Sequence, residues 1–367
     1  MQTFAKRTIP QQNVNLNSVR PMKKDLQKNV ATLHDVARAA GVSPGTVSRA
    51  LTRPELVAER TRSKILSIVD RLHYLPDPHA RGLKLSKPGV IGAVIPRSGI
   101  STFSQTIASL NDSLEARGLT LIVSQPEASS QASKHAAYRL LEKGADALIL
   151  LGEDHAPELY RLLEYRGLTH LLLSPISPPK GSPYVSINHR EAGHIAARHL
   201  VHHGHKKFAY IGSSVLHNPR AQERLAGVQA ELKSHRLTLP KSAITNEPHQ
   251  IDSGKIAIKQ VLKNHGDTTA IICTSDYYTL GVIRALHELK IKVPKDISVV
   301  SFNNNDFSSF TMPAITTVDL KYRQVGIEAA AMILRLLNGE KVQPVRIEPE
   351  LCIRETSGPV RVTQTAR

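Results

Sequence analysis

Residues 31–51, ATLHDVARAAGVSPGTVSRAL, constrain the chain more than any other segment because they carry start and stop signals for two short helices. Thr32 precedes an apolar run of helical period and Asp35 follows it three residues later, which is typical of a capping box. The glycine after that run stands where a positive φ is most easily adopted. Ser43 and Pro44 then supply a second N-cap and a proline at the first helical position. The segment therefore predicts a helix–turn–helix.

The second predicted helix keeps a polar face outward beside a small apolar core. Val47 and Leu51 lie on its inward side at helical spacing. A third helix over about residues 58–72 would close a three-helix core with Ile65, Ile68, Val69 and Leu72. The outward positions of the second helix are Pro44, Gly45, Ser48 and Arg49. Arg49 can donate two hydrogen bonds to guanine, worth about 1–3 kcal/mol of base discrimination. A plain helical hairpin is the alternative interpretation of these helices.

Positive charge is concentrated around this segment. The chain has 48 Lys and Arg against 31 Asp and Glu, a formal charge of +17. Residues 1–89 hold 16 basic and 6 acidic side chains and so supply +10 of that total. This distribution favours phosphate contacts and a salt-sensitive affinity for nucleic acid. We expect residues 1–29 to form a disordered arm whose basic residues could add non-specific DNA affinity: Lys6, Arg7, Lys23, Lys24 and Lys28.

Length and composition limit the classes of protein to which this chain can belong. A chain of 367 residues can form two or three domains with a sizeable core. Cys273 and Cys352 make neither a disulfide framework nor a metal spacing, so we expect both to be reduced core residues. The sequence has no run of 18 apolar residues and no signal-peptide centre. We therefore expect a cytoplasmic protein without a membrane span.

From Val90 onward, strand-like apolar runs alternate with helix-like segments. The predicted strands cover residues 90–96, 119–125, 145–151, 169–174, 207–212, 269–274 and 297–302, with a further one near 242–245. The predicted helices lie near residues 103–118, 130–143, 157–166, 191–203, 221–234, 253–263 and 278–289. This alternation predicts parallel sheets with helices on both faces, and the number of strands indicates two similar lobes. Ligands of such folds bind at the carboxyl ends of the strands, here in the cleft between the lobes.

The segment between the two regions is interrupted by proline. Residues 74–78, YLPDP, break the third helix because proline restricts both itself and the residue before it. Residues 79–85 follow as a short helix candidate with Asp77 as N-cap. Gly82 weakens that helix, which is too short to be stable alone in water. We expect it to become ordered only when another surface buries it.

The motifs closely resemble the opening signature of the lactose/purine repressor (LacI/GalR) family, which are bacterial transcriptional regulators. The matching residues are Asp35–Ala37, Ala40–Ser43 and Thr46–Leu51. The resemblance extends from residue 30 to about 357, through residues 200–212, Arg224–Gly227, Ser275–Gly281, Val293–Phe302 and Ile315–Val318. It implies an N-terminal all-α helix-turn-helix domain with a hinge helix and a two-lobed α/β core like that of periplasmic binding proteins. It also implies a homodimer that binds a near-palindromic operator and a small-molecule effector.

The resemblance assigns DNA contacts residue by residue. In the first domain these are Thr32, Leu33, Ser43, Pro44, Gly45, Thr46, Ser48 and Arg49. In the hinge, Ala80, Arg81, Leu83 and Lys84 match the family pattern, and Ala80, Leu83 and Lys84 are assigned to DNA. Leu83 aligns with a leucine that enters the minor groove, where an apolar wedge unstacks a base step and kinks the duplex. The alternative is that Leu83 is an ordinary residue of the linker.

The resemblance also implies effector contacts in the core. Arg224 matches an arginine that holds the effector, Ser275 and Asp276 match a pair after a strand, and Phe103 matches an aromatic residue that lines the pocket. Asn303 stands where many sugar-responsive members have aspartate, and Asn188 and His189 replace an aspartate–asparagine pair. Arg97, in the loop after the first strand, could join Arg224 in favouring an anionic effector such as a sugar acid or sugar phosphate. A solvated loop charge is the alternative for Arg97.

Two other functional classes remain as alternatives. Histidines crowd one region and could ligate a metal in an enzyme: His189, His194, His199, His202, His203 and His205. However, H-E-x-x-H, P-loop and G-x-G-x-x-G motifs are absent from the sequence. No G-x-S-x-G nucleophile elbow appears either, since residues 41–45 have that spacing but lie in the predicted helix–turn–helix. A periplasmic sugar-binding protein would share the core fold but not the basic N-terminal module. A global or nucleoside-responsive regulator of the same fold is a further alternative.

These observations together predict the domain boundaries of the chain. Residues 1–29 form an arm, residues 30–85 the DNA-binding domain with a hinge helix at about 77–85, and residues 86–89 a linker. Residues 90–357 form the effector-binding and dimerisation core, and residues 358–367 a flexible tail. We expect a repressor controlled by a sugar, sugar acid or related metabolite, with no catalytic residue, metal or cofactor.

Overall fold

The computed structural model describes residues 31–74, 89–97, 103–212 and 218–361. The chain divides into two compact units, with the boundary between Lys87 and Pro88. The predicted arm, the hinge helix and most of the linker lie outside the described residues. None of the described helices is long and apolar enough to cross a membrane.

The first unit contains the predicted helices. They are α1 (Leu33–Ala40), α2 (Pro44–Thr52) and α3 (Glu59–Arg71), with a short 3-10 turn at Pro54–Leu56 between the last two. Val36, Val47 and Ile65 are fully buried in their common core, and Tyr74 closes it at the end of the described segment. The three-helix prediction is confirmed.

Local hydrogen bonds explain where these helices begin. The backbone N–H of Asp35 donates to Thr32 Oγ1 at 3.3 Å, and the backbone N–H of Thr32 donates to Asp35 Oδ2 at 2.9 Å. Hydrogen bonds from the side chain and then the backbone of Thr32 lower the pKa of the Asp35 carboxyl. Gly41 has a φ of +67° after α1, and Ser43 Oγ accepts from Thr46 N–H at 3.1 Å. Both predicted caps are therefore confirmed.

The second unit contains two sheets. The first includes strands β1 (Val90–Val94), β2 (Thr120–Ser124), β3 (Ala147–Leu151), β4 (Thr169–Leu173), β5 (Tyr184–Ile187) and β10 (Val345–Ile347), in the order β10-β5-β4-β3-β1-β2. The second includes β6 (Phe208–Ile211), β7 (Ala270–Cys273), β8 (Ser298–Phe302), β9 (Thr316–Asp319) and β11 (Glu350–Cys352), in the order β11-β9-β8-β7-β6. All neighbouring strands are parallel except β9 and β11. The predicted α/β class with parallel sheets is confirmed.

Eight helices accompany these sheets in the described residues. They are α4 (Ser104–Glu115), α5 (Ser130–Glu142), α6 (Pro157–Tyr165), α7 (His189–His202), α8 (Pro219–Ser234), α9 (Ile251–Asn264), α10 (Asp276–Glu288) and α11 (Tyr322–Leu337). Helix α7 follows the last residues of β5 but packs on α8, and α11 follows β9 but packs on α4. The strand β10 pairs in the first sheet and β11 in the second. The chain therefore passes between the two lobes three times.

One predicted strand is wrong. Residues 242–245 were expected to be extended, but Lys241–Ala243 form a 3-10 turn. Ile244 makes only an isolated parallel bridge with Tyr210 of β6. The apolar residues there still contact the sheet edge, since Ala243 is buried, but the paired segment is too short to count as a strand. Of the two cysteines, Cys273 is fully buried, whereas Cys352 is partly exposed and so departs from the core position expected for it.

Glycines allow three helix pairs to approach closely. A Cβ added at Gly193 of α7 would clash with the backbone carbonyl of Arg224 in α8, and one added at Gly227 of α8 would clash with the carbonyl of Arg190. Gly254 and Gly281 make the same reciprocal contact between α9 and α10. A single glycine of α11 similarly meets α4. Only hydrogen fits at these crossings, which fixes the helix spacing.

The histidines predicted as a possible metal set are dispersed among structural partners. His194 contacts the Glu231 carboxylate at 3.2 Å, His199 Nε2 lies 2.8 Å from Ser357 Oγ, and His205 Nε2 lies 3.0 Å from the Gly358 carbonyl. Among the described residues, no group of three His, Cys, Asp or Glu side chains is arranged to hold a metal ion.

Acid should destabilise the second unit through His199. Burial, followed by the nearby His203, His205 and His202, lowers the pKa of His199 from 6.5 to about 4. The folded state favours neutral His199, so this residue makes its full contribution to the free energy of unfolding above pH 6.5. That contribution is lost as the pH falls towards 4, by up to about 1.4 kcal/mol per pH unit. Urea unfolding at pH 7 and pH 5 should show a smaller loss in His199→Gln than in wild type. The exposed His135→Gln is the control, and an unchanged pH dependence in His199→Gln would contradict the assignment.

Candidate DNA-binding surface and ligand cavity

The surface of α2 presents few free polar groups. Arg49 is exposed, and its Nε donates to the Gly45 carbonyl at 3.2 Å. Ser43 Oγ and Thr46 Oγ1 are 2.9 Å apart and serve the cap. Gly45 is exposed and a Cβ there would meet only Ser43 Oγ at 3.7 Å, so the backbone is open to close approach. A base contact by Arg49 would therefore come from its terminal Nη groups.

The other residues predicted to contact DNA differ in their exposure to solvent. Thr32 is exposed and Leu33 is half-buried against the three-helix core. Pro44 and Ser48 are half-buried on α2. Ala80, Leu83 and Lys84 lie outside the described residues.

A cavity of about 760 Å³ lies where the carboxyl ends of strands from both sheets converge. Its first-lobe lining comes from the segments after β1, β2 and β3: Pro96, Phe103, Ser129, Ser133, Glu153, Asp154 and His155. Its second-lobe lining follows β6, β7 and β8 and includes Asn218, Arg220, Arg224, His249, Ser275 and Asn303, with Tyr322 at the start of α11. Its volume is in the range of sites for small organic ligands.

Four of the six predicted effector residues line this cavity. They are Phe103, Arg224, Ser275 and Asn303. Arg97 does not line it. Its side chain is exposed, and its Nε donates to the Gln125 carbonyl at 3.3 Å.

Asp276 is also absent from the cavity lining because its carboxylate points into the protein. It accepts hydrogen bonds from Asn305 N–H at 2.7 Å, Ser308 Oγ at 2.7 Å and Thr317 Oγ1 at 3.0 Å. Burial raises the pKa of Asp276, and hydrogen bonds from its neighbours oppose that shift. The carboxylate therefore holds the loop that follows Asn303, rather than presenting itself to the cavity.

The two departures from the family pattern at positions 188 and 189 have structural roles. Asn188 Oδ1 accepts from Glu191 N–H at 3.2 Å and caps α7, while its Nδ2 donates to Glu348 at 3.0 Å. His189 is buried, and Arg224 Nη1 donates to its Nδ1 at 3.2 Å. Burial, and then the nearby arginines, lower the pKa of His189 well below its usual value. His189 is therefore a neutral acceptor for Arg224.

A second arginine, Arg220, was not predicted and lies beside Arg224. The two residues are four apart on α8, so their side chains leave the same helix face. Arg220 lies over the Phe103 ring at 5.7 Å, and Arg224 over the Phe302 ring at 5.3 Å. Burial and the nearby Arg224 lower the pKa of Arg220. Spacing from Arg224 was the sequence signal that could have identified it.

The first-lobe wall of the cavity carries His155 and Glu153. His155 is 7% exposed, and neither ring nitrogen has a hydrogen-bond partner of good geometry among the described residues. Burial lowers the pKa of His155, so the ring is neutral near pH 7. The Glu153 carboxylate accepts from the N–H groups of Ile176 and Ser177 at 3.1 Å. No sequence motif pointed to these residues.

Comparison with known proteins agrees with this organisation. Residues 32–77 match the family of bacterial regulatory proteins of the lacI type, and residues 197–357 match a periplasmic binding protein-like domain. The HTH-type transcriptional repressor PurR of Vibrio vulnificus is 30% identical over 332 residues, which cover 89% of this chain and 98% of that protein. PurR of Klebsiella pneumoniae strain 342 is likewise 30% identical, over 89% of this chain and 97% of its own length.

Solved structures show the same fold. The structure described as the Lac repressor dimer bound to operator and the anti-inducer ONPF has a TM-score of 0.78 and 27% identity, covering 90% of this chain and 99% of that one. These relatives are repressors, which agrees with the expectation of a regulator rather than an enzyme. The chain belongs to the LacI family of bacterial regulatory proteins and is a DNA-binding transcriptional repressor with a periplasmic-binding-protein-like effector domain.

Proposed function

We propose that this repressor acts in the cytoplasm as a ligand-controlled homodimer on a near-palindromic operator. Each subunit places α2 in the major groove of one half-site, since the symmetry of the protein is mirrored in the DNA. The observation that carries the proposal is the doubly capped helix–turn–helix, whose second helix keeps Arg49 exposed. The Lac repressor, a structural relative, is a dimer bound to operator.

The proposed DNA contacts extend beyond α2. Thr32, Ser43 and Thr46 lie at the helix starts, where backbone N–H groups and hydroxyls suit phosphates. Leu83 serves as the minor-groove wedge, with Ala80 and Lys84 beside it in the hinge helix at about 77–85. The proposed domain division keeps residues 30–85 for DNA, 86–89 as linker and 90–357 as effector and dimerisation core.

An exposed apolar surface supports dimerisation through the second unit. Phe310 is 85% exposed, Met312 95% and Ile353 65%. The segment after Ile353 pairs with the one after Met312, since Glu355 N–H donates to the Ala314 carbonyl at 2.9 Å. Large apolar side chains grouped in this way are typical of protein interfaces. We assign this surface to a second copy of the chain.

The proposed effector binds in the 760 Å³ cavity between the lobes. Effector binding would alter the lobe arrangement and hence the hinge helices, and a coupling of about 1–3 kcal/mol is sufficient for control. Phe103, Arg224, Ser275 and Asn303 are the proposed contacts from the predicted set. A solved structure of similar fold is described as a complex of the transcriptional regulator CelR with cellobiose.

Substitution of Arg49 tests the proposed operator contact. We expect Arg49→Lys to keep non-specific DNA binding but to weaken binding to a selected operator by about 10-fold or more, because the lysine ammonium lacks the rigid planar pair of donors that arginine presents to guanine. Operators would be selected from a random DNA library with the wild-type protein, and affinities measured at several salt concentrations. Arg71→Lys, an exposed arginine of α3, is the matched control. Equal specificity of Arg49→Lys and wild type would contradict the proposal.

A further inference from the structure

We infer that the effector is a hydroxylated organic anion whose carboxylate or phosphate is bound by Arg220 and Arg224. This inference rests on the proposed ligand-controlled function and specifies its ligand. It replaces the sequence-based pairing of Arg224 with Arg97, because Arg97 lies outside the cavity.

The two arginines form a preorganised cationic pair. Both belong to the first turns of α8, whose start is fixed by the Asn218 side chain accepting from Arg220 N–H at 3.2 Å. Arg224 is 6% exposed, yet its Nε has no hydrogen-bond partner among the described residues although the residue lines the cavity. A buried guanidinium donor without an acceptor is costly unless a ligand supplies one.

Among the described residues, the Glu153 carboxylate acts on Arg220 from beyond ion-pair distance, where its charge opposes the lowering of the Arg220 pKa. Neither Arg220 nor Arg224 has a carboxylate within ion-pair distance in this part of the chain. The polar groups that these two arginines contact are uncharged. Arg224 contacts neutral His189 and lies beside the Tyr210 hydroxyl, and Arg220 Nη1 lies 3.5 Å from the Ser174 carbonyl. Asn303 adds an amide rather than a carboxylate to the lining. An anionic ligand group would complete this site with charge-assisted hydrogen bonds.

The aromatic residues of the cavity disfavour a stacked planar base. Arg220 covers the face of the Phe103 ring, and Tyr322 meets that ring edge to face with centroids 5.1 Å apart. Phe103 and Tyr322 are only 2% and 3% exposed. Neither ring therefore offers an open face to a purine.

The first-lobe wall of the cavity is suited to hydroxyl groups. A neutral imidazole has one donor and one acceptor, and neither nitrogen of His155 has a hydrogen-bond partner of good geometry in the described residues. Glu153 and the exposed Asp154 add acceptors for hydroxyls on the same wall, while Glu247 lines the cavity from the second lobe. The carboxylates of Glu153 and Asp154 would repel a second anionic group on this wall, so the ligand carries its charge at the arginines and its hydroxyls at His155.

Binding measurements on the full-length protein test the inference. Thermal melting and calorimetry would be performed with gluconate, glucose 6-phosphate, inorganic phosphate, neutral glucose and inosine, at constant ionic strength set with chloride. We expect at least one anion to bind and raise the melting temperature, and glucose and inosine not to do so. Gluconate against glucose 6-phosphate distinguishes a carboxylate from a phosphate site.

Variants separate a ligand-binding arginine from a structural one. Arg220→Gln should weaken binding of that anion by at least about 30-fold, whereas Arg97→Gln should leave it unchanged. Without ligand, Arg220→Gln should melt at the same or a higher temperature, because it removes an uncompensated charge; a structural arginine would instead lower it. The inference is overturned if no anion discriminates wild type from Arg220→Gln, or if glucose or inosine binds equally to both. Operator affinity measured with the bound anion tests the proposed control separately, since an anion that binds without changing that affinity contradicts only the control.

Discussion

Gly193→Ala is expected to destabilise the second unit by about 3 kcal/mol, because overpacking against backbone cannot be relieved by a rotamer change. The added methyl would clash with the Arg224 carbonyl oxygen and lie 2.9 Å from its carbon. Relief requires α7 and α8 to separate, which also breaks the reciprocal contact at Gly227. Urea unfolding followed by circular dichroism would measure the loss, with the first unit's transition as an internal reference.

Gly193→Ala should also distort the ligand cavity. The carbonyl that is displaced belongs to Arg224 itself, so a shift of α8 moves both arginines of the proposed anion site. Gly266→Ala is the matched control because its nearest neighbour would be the Leu262 carbonyl at 3.5 Å, an ordinary contact. If Gly193→Ala unfolds at the same urea concentration as Gly266→Ala, the close helix crossing does not determine stability.

Asp276→Ala is expected to cost about 3 kcal/mol, since it leaves several buried donors without an acceptor. Asn305 N–H, Ser308 Oγ and Thr317 Oγ1 would all lose their hydrogen bonds to this carboxylate. Asp276→Asn should have an intermediate effect because one amide oxygen remains as acceptor. Urea unfolding measures each loss.

The control for Asp276 is the exposed Asp267, which pairs with Lys207 on the surface. Its replacement by alanine should change stability little, since exposed ion pairs contribute little. If Asp276→Ala is as stable as Asp267→Ala, the loop after Asn303 is held by other contacts. If it instead weakens ligand binding at full stability, Asp276 belongs to the cavity after all.

The helix starts could be predicted because their determinants are local. Thr32 with Asp35 and Ser43 with Thr46 make hydrogen bonds within one turn. The pairing of short strands is different, since it depends on residues far along the chain. The strands β5, β10 and β11 have only three or four residues each, and none was identified from the sequence. Residues 242–245 look extended in sequence, but their register with β6 allows one bridge only.

The cavity could be predicted only in part. The family resemblance placed Phe103, Arg224, Ser275 and Asn303, each close after a strand or at a helix start, and the structure brings them together. It gave no indication of His155, whose importance lies in burial without partners, a property that sequence does not express. The charge of Arg97 was visible in the sequence, but not its hydrogen bond to the Gln125 carbonyl.

The triple passage of the chain between lobes has a consequence for biosynthesis. The first lobe begins at β1 but needs α11 and β10, which end at Leu337 and Ile347. A nascent chain that has emerged only to residue 320 would expose the apolar surfaces of α4, β4 and β5 that α11 covers. The first unit, complete by Tyr74, can form long before. Ribosomes would thus carry a finished DNA-binding unit beside an unfinished core, and chaperone demand should be highest during synthesis of the last 50 or so residues.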